Sequence, residues 1–162
     1  MAHEPRLMRE LRNLLETNRV AALGTVQDDG TPFVSMVPFA LDARQGCLVI
    51  HVSGLAAHTR NLQARTHVSL LVMEPETPGN PVHDLPRVTL QANASFPERT
   101  SAEWKACRNA YLKRYPDVEH MTELGDFQLV ALGVDGARHI SGFGAARTVG
   151  KEELEQIIRG VP

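Results

Sequence analysis

Two cysteines, Cys47 and Cys107, are all that this chain of 162 residues contains. That is too few for a disulfide framework or a thiolate metal site. Cys47 opens an apolar run and Cys107 falls in a helical pattern, so both are expected as buried free thiols. Charge of one sign is also missing: the net charge of -2 gives no general attraction to nucleic acid or to an acidic membrane. No apolar run approaches a membrane span, and the opening MAHEPRLMRELRNLLE lacks the uninterrupted apolar core of a signal peptide. These absences predict a cytoplasmic protein whose partners include neither nucleic acid nor membrane.

Side-chain catalytic machinery is missing as well. There is no nucleophile elbow and no Cys/His arrangement near a helix start. The histidines His3, His51, His58, His67, His83, His120 and His139 are scattered without the spacing of a metal-binding helix. His83 and Asp84 sit in the proline-rich stretch EPETPGNPVHDLP, which reads as a surface loop because no second ligand pair lies at a recognised spacing. The glycines form neither a Walker loop nor a dinucleotide fingerprint. No metal site is expected and no catalytic residue is named; if the chain is an enzyme, its reactive group is borrowed from a cofactor.

What is present is a series of short apolar runs cut by turns. Leu7, Met8, Leu11, Leu14 and Leu15 fall at helical spacing in an N-terminal helix over residues 4–17, with Arg6, Arg9 and Arg12 on its wet side. VAALGTV and FVSMVPFALD flank Asp29-Gly30, a strong hairpin signal. Pro38 marks an edge, a bulge or backbone left to meet a ligand. Further strands are expected over residues 47–52, 68–73 and 87–94, and a last pair over 128–134 and 137–140 joined by an Asp135-Gly136 hairpin turn. Thr100 with Glu103 resembles a capping box opening a helix to about residue 113, with Trp104, Cys107 and Tyr111 on its inner face. Asp117 caps a shorter helix through Glu123, and a tail helix spans 151–159. The pattern predicts one domain over 1–162, mainly β with flanking helices (α+β), as a six- or seven-stranded antiparallel barrel over 20–144.

The chain is organised around CLVIHVSGLAAHTRNLQARTHVSLLVM, residues 47–73. A strand here delivers the chain to a two-turn helix whose first turn has unpaired N–H groups and the positive end of the helix dipole. Ser53, His58, Thr59, Arg60 and Asn61 add donors to one oxyanion, with charge assistance from Arg60. This pattern points to the phosphate of a small cofactor. The alternative is a solvated short helix after an ordinary turn.

The order helix, V-A-A-L-G-T-V, D-G-T-P-F-V-S-M-V-P-F-A-L-D, S-G-L-A-A-H-T-R-N-L, R-V-T-L, Y-L-K-R-Y-P-D, G-D-F-Q-L, I-S-G-F-G-A-A resembles the FMN-binding split-barrel superfamily. Within it the chain is most similar to the pyridoxamine 5'-phosphate oxidase-like branch that includes haem-utilisation proteins. The similarity runs from about Leu7 to Val149. The resemblance implies a single split-barrel domain that forms a homodimer, with FMN in clefts at the interface. Val34, Ser35, Met36, Val37 and Pro38 would line the flavin ring largely through backbone, and Ser53, His58, Thr59, Arg60 and Asn61 would hold its phosphate. Gly142 and Phe143 would approach from the other subunit.

Three departures from the pattern shape the expected function. The oxidases proper carry an Arg-Lys pair for phosphate where this chain has Ala57-His58, which implies weaker flavin binding. Their pyridoxal-phosphate motifs near the C-terminus have no counterpart, which argues against pyridoxamine phosphate as substrate. Haem-degrading relatives ligate iron with a histidine in a C-terminal tail, and KEELEQIIRGVP has none. The expectation is an FMN-dependent oxidoreductase acting on a small-molecule substrate. Its alternative is a haem- or flavin-binding protein that stores or delivers its ligand without turnover.

Overall fold

The computed structural model describes residues 4–161; His3 lies outside them. Helix α1 (Arg6–Thr17) leads into β1 (Val20–Val26), β2 (Pro32–Asp42), β3 (Cys47–Ser53), α2 (Ala57–Ala64) and β4 (His67–Met73). Then follow β5 (Arg87–Ser95), α3 (Ala102–Arg114), β6 (Phe127–Ile140), β7 (Ala146–Gly150) and α4 (Lys151–Arg159). Short 3-10 helices occupy Val82–Asp84 and Pro116–Glu123. All pairings are antiparallel in the order β3-β2-β1-β4-β5-β6-β7, and a further β3 to β6 pairing closes six strands into a barrel with β7 outside it.

Local chemistry explains most boundaries. Gly30 turns the β1–β2 hairpin at φ 85°, and its N–H donates to the Gln27 carbonyl at 2.9 Å; only glycine adopts that φ without steric cost. Pairing with β1 runs from Pro32 to Pro38, whereas pairing with β3 begins at Phe39. One edge of β2 is therefore without a strand partner up to Pro38, which suits a residue that has no N–H.

Inward side chains such as Leu23, Phe39, Leu48, Ile50, Leu70, Leu90 and Leu132 fill the barrel, and Leu11, Leu15, Leu154 and Ile157 of α1 and α4 join the same core. Each buried leucine or isoleucine contributes about 1.5–3 kcal/mol. A second cluster lies outside the barrel, where Cys107, Tyr111 and Tyr115 pack on Ala40, Cys47, Val49 and Leu129 beneath α3. Both cysteines are buried and free. Burial also raises their thiol pKa values, that of Cys47 to about 12.

Four local expectations are corrected. Asp135-Gly136 is not a turn. β6 runs unbroken through it, and the register against β5 moves from Gln91 opposite Gly136 to Ala92 opposite Val134, leaving Asp135 as the extra residue of a bulge. Val134 and Ala137 are both buried, which alternation permits only if one residue is inserted between them. A Cβ on Gly136 would lie 3.3 Å from the Val149 carbonyl of β7, so close strand approach explains the glycine. Second, α3 is capped by Ser101, whose Oγ accepts from the Trp104 N–H at 3.1 Å, while Thr100 takes a left-handed φ of 74°. Third, Arg12 is not on the wet side: it pairs with Glu4 and donates to the Ile157 carbonyl at 3.1 Å and the Val161 carbonyl at 3.2 Å. It thereby ties α1 to the end of α4 and the residues just after it. Fourth, α1 begins at Arg6, with Pro5 as its N-cap residue.

Arg114 ties three elements together, donating to the carbonyls of Leu15, Glu16, Asn18 and Phe39 at 2.9–3.0 Å. Arg114→Ala is expected to lower unfolding stability in urea by about 2–4 kcal/mol, because charged hydrogen bonds are lost and acceptors are left unpaired. Arg114→Lys recovers only part, since an ammonium lacks the planar fork. A loss below about 0.5 kcal/mol contradicts this role.

His51, on the outer face of β3, stacks on Phe127 at 5.0 Å and lies 5.6 Å from Tyr111. Burial, followed by the Arg99 charge, lowers its pKa to about 4 from 6.5. As pH falls below 6.5 the unfolded chain takes up the proton first, so this contribution is complete above pH 6.5 and is lost towards about pH 4. His51→Phe should reduce the stability lost over that window by about 1–2 kcal/mol, the linkage value being cut by partial solvent exposure. An unchanged pH slope in the variant contradicts neutral burial of His51.

Candidate functional site

After β3 the chain turns through Gly54, Leu55 and Ala56. The Gly54 N–H donates to the Asp126 carbonyl at 2.6 Å, and a Cβ at this position would sit 3.1 Å from that oxygen. Ser53 is consumed within the loop: its Oγ accepts from the Leu55 N–H at 3.2 Å, and its carbonyl accepts from Thr59 Oγ1 at 2.6 Å. The N-cap of α2 is Ala56, which has no side chain to satisfy the first helical N–H groups. A helix opening of this kind suits an anion.

The segment 58–61 divides into anchors and free groups. Thr59 is 1% exposed and Asn61 is also buried. Asn61 Nδ2 donates to Oγ1 of buried Thr25 at 3.0 Å. Thr59 therefore fastens α2 to the end of β3, and Asn61 fastens it to β1. Arg60 is exposed and, among the described residues, has no recorded hydrogen bond or ion pair. With Ala57 and Asn61 it borders a shallow cleft of about 340 Å³ against Gln27, Asp28 and Asp29 of the β1–β2 turn. Both carboxylates there are engaged. Asp29 accepts from the Thr31 N–H and hydroxyl at 3.0 and 2.6 Å, bonds that lower its pKa. Asp28 lies 3.5 Å from Arg65.

His58 links α2 to β2. Its Nδ1 is 2.9 Å from Ser35 Oγ, and burial lowers its pKa below 6.5, so the ring is neutral at neutral pH. Nε2 has no recorded partner among the described residues. On either side of Ser35, Val34 and Met36 are 68% and 64% exposed, and they lie along the edge of β2 that lacks a strand partner. Val37 is buried and Pro38 half-buried. By strand alternation Ser35, with His58, lies on one face of β2, and exposed Val34 and Met36 lie on the other. The uncapped start of α2 with Arg60 can receive an acidic group, and the exposed strip of β2 can meet an apolar surface.

Gly142 and Phe143 are not brought to this place within one chain. They lie in the β6–β7 loop, where Phe143 is 84% exposed. Ser53 pairs with Phe127 at the opposite end of β6, a separation of roughly 40 Å along a strand of that length. Thr25, Gln27 and the Asp126 carbonyl were not anticipated as parts of the site. Thr25 could have been found as a hydroxyl at an inward position of β1; a backbone carbonyl leaves no sequence signal. Among the described residues, no three His, Cys, Asp or Glu side chains converge as a metal set. No helix among them is long and apolar enough to cross a membrane.

Comparison with known proteins agrees with this architecture. The chain is 30% identical over 154 residues to heme oxygenase HutZ of Vibrio cholerae, covering 94% of this chain and 86% of that one. A crystal structure of HutZ, described as a heme storage protein, superposes with a TM-score of 0.71 at 30% identity, over 79% of this chain and 89% of that one. The chloroplastic heme oxygenase HOZ of Arabidopsis thaliana is 31% identical over 152 residues, covering 90% of this chain and 45% of that one. A heme binding protein from Mycobacterium smegmatis superposes with a TM-score of 0.84 at 28% identity, over 95% of this chain and 62% of that one. This chain thus spans less than two thirds of the Arabidopsis and Mycobacterium proteins. Residues 7–141 match the family model described as pyridoxamine 5'-phosphate oxidase. The chain belongs to the pyridoxamine 5'-phosphate oxidase family of split barrels, in the group that includes haem-utilisation proteins.

Proposed function

We propose that this chain binds haem beside the exposed strip of β2 and the start of α2, and stores or delivers it. The observation that carries this reading is His58, half-buried at the start of α2 and held at Nδ1 by Ser35 Oγ at 2.9 Å, with exposed Val34 and Met36 on the other face of β2 and Arg60 without a partner among the described residues. A haem needs an apolar face, a cation for its propionates and a nitrogen for its iron. In the tautomer whose Nδ1–H donates to Ser35, Nε2 presents a lone pair, the arrangement usual for an iron-ligating histidine. With Nδ1 held by Ser35, His58 is the ligand in this reading. When bound, haem supplies the iron centre; the chain supplies binding and orientation. The names of HutZ and of the Mycobacterium protein support haem as occupant.

The second reading is FMN in the same place, serving an oxidoreductase. The uncapped start of α2 and Arg60 favour it, because both would suit a phosphate equally. Ala57-His58 in place of an Arg-Lys pair weighs against it. Either occupant calls for a homodimer, since Gly142 and Phe143 reach such a cleft only from a second copy. A cytoplasmic location, where the two free thiols stay reduced, belongs to the same proposal.

Hemin titration followed at the Soret band tests the assignment. Wild-type protein should give a saturable Soret shift, and His58→Ala should displace the band and weaken binding. Arg60→Ala should weaken binding by about tenfold or more with the band in place, because a charge-assisted bond is removed. Absence of hemin uptake by the wild type removes the haem reading. An unaltered His58→Ala spectrum removes His58 as ligand.

A further inference from the structure

A second cleft opens where the chain between β5 and α3 meets the segment following the second 3-10 helix. Its two compartments share Arg99 and Trp104. The larger, about 610 Å³, is bordered by Lys105, Arg108 and Glu123. The smaller, about 370 Å³, is bordered by Phe96, Pro97, Phe127 and Leu129, with Glu98 as its carboxylate. One end is cationic and the other is lined by rings.

The cations differ in how free they are. Arg108 donates to Thr122 Oγ1 at 3.0 Å, but its charge is met by Glu119 at 3.2 Å and Glu123 at 3.8 Å. Arg99 lies 5.7 Å from the centre of the Trp104 ring and donates through Nη2 to the Thr122 carbonyl at 2.7 Å. Among the described residues, no carboxylate pairs with Arg99 or with Lys105. Arg99 is thus a guanidinium oriented by an indole and a neutral carbonyl, with donors to spare. Binding an oxyanion there would cost little side-chain ordering. At the other end, His51 stacks on Phe127 at 5.0 Å, so the ring-lined end stands on an uncharged base.

We propose that this cleft binds a small organic anion in which a flat aromatic ring is joined to an oxyanionic group. The ring lies against Phe96 and Phe127, and the oxyanion meets Arg99 and Lys105. This site is separate from the one assigned to haem and does not depend on that assignment. A nucleoside monophosphate and an aromatic carboxylate share the chemistry.

Trp104 is the one tryptophan of the chain, so the intrinsic tryptophan fluorescence of the purified, cofactor-free protein reports on this cleft. Titration with AMP or with benzoate should give a saturable change for at least one of them, and the tighter of the two names the source. Inorganic phosphate and adenosine, each lacking half of the ligand, should bind at least about tenfold more weakly than AMP if the nucleotide is preferred; chloride and benzyl alcohol play those parts for benzoate. Arg99→Gln, and independently Lys105→Gln at an exposed position, should each weaken the preferred probe by about tenfold, and Lys105→Gln should leave the unfolding midpoint in urea close to wild type. The proposal is overturned by the absence of a saturable change with both probes. It is overturned equally by an anion that binds as well without its ring, or by unchanged affinity in a folded Arg99→Gln variant.

Discussion

The pairing of β3 with β6 is the constraint on which the rest depends. Six residue pairs, from Leu48 opposite Leu132 to Ser53 opposite Phe127, turn an open sheet into a barrel. β6 can serve this purpose and still hold β7 because it is 14 residues long. Its first half lies against β3 and its second half against β7, with the Asp135 bulge between them. Closure also brings Asp126 beside Gly54, where the 2.6 Å backbone bond fixes how the chain leaves β3. The start of α2 and the exposed strip of β2 take their places from that junction.

Around this frame, the polar residues of the site divide by task. Thr59, Asn61 and Ser53 are satisfied within the chain at 2.6–3.2 Å and keep α2 in position. His58 and Arg60 are left with unused capacity, and His58 is itself oriented by Ser35. A binding group held by a neighbour that does not bind needs less ordering when a ligand arrives. The same logic recurs outside the barrel, where Thr122 and Trp104 orient Arg99.

Much of this was readable from the sequence where turn chemistry and periodicity agree. Asp29-Gly30 does turn β1 into β2, and the two-turn helix between β3 and β4 falls where the apolar runs left room for it. Asp135-Gly136 misled because the same dipeptide serves a hairpin or a bulge. Only the burial of both Val134 and Ala137 separates the two. β7 was not expected: in ARTVG only Val149 is buried, so there is no apolar run to read. At the site, residues 58–61 looked like one polar cluster. A helix turns about 100° per residue, so four consecutive residues cannot share one face; Thr59 and Asn61 are buried while Arg60 is exposed. The bond between Ser35 and His58 joins residues 23 positions apart and had no local signal.

Haem and FMN are both flat and both anionic, so the apolar strip and the helix start would serve either. The imidazole of His58 could ligate iron or donate to a flavin phosphate, so the occupant itself has to be measured. Competitive equilibrium dialysis of the purified chain against equal concentrations of hemin and FMN tests this most directly. Retention of haem, with FMN left in the free pool, is the predicted result. Retention of FMN with haem excluded would contradict the account.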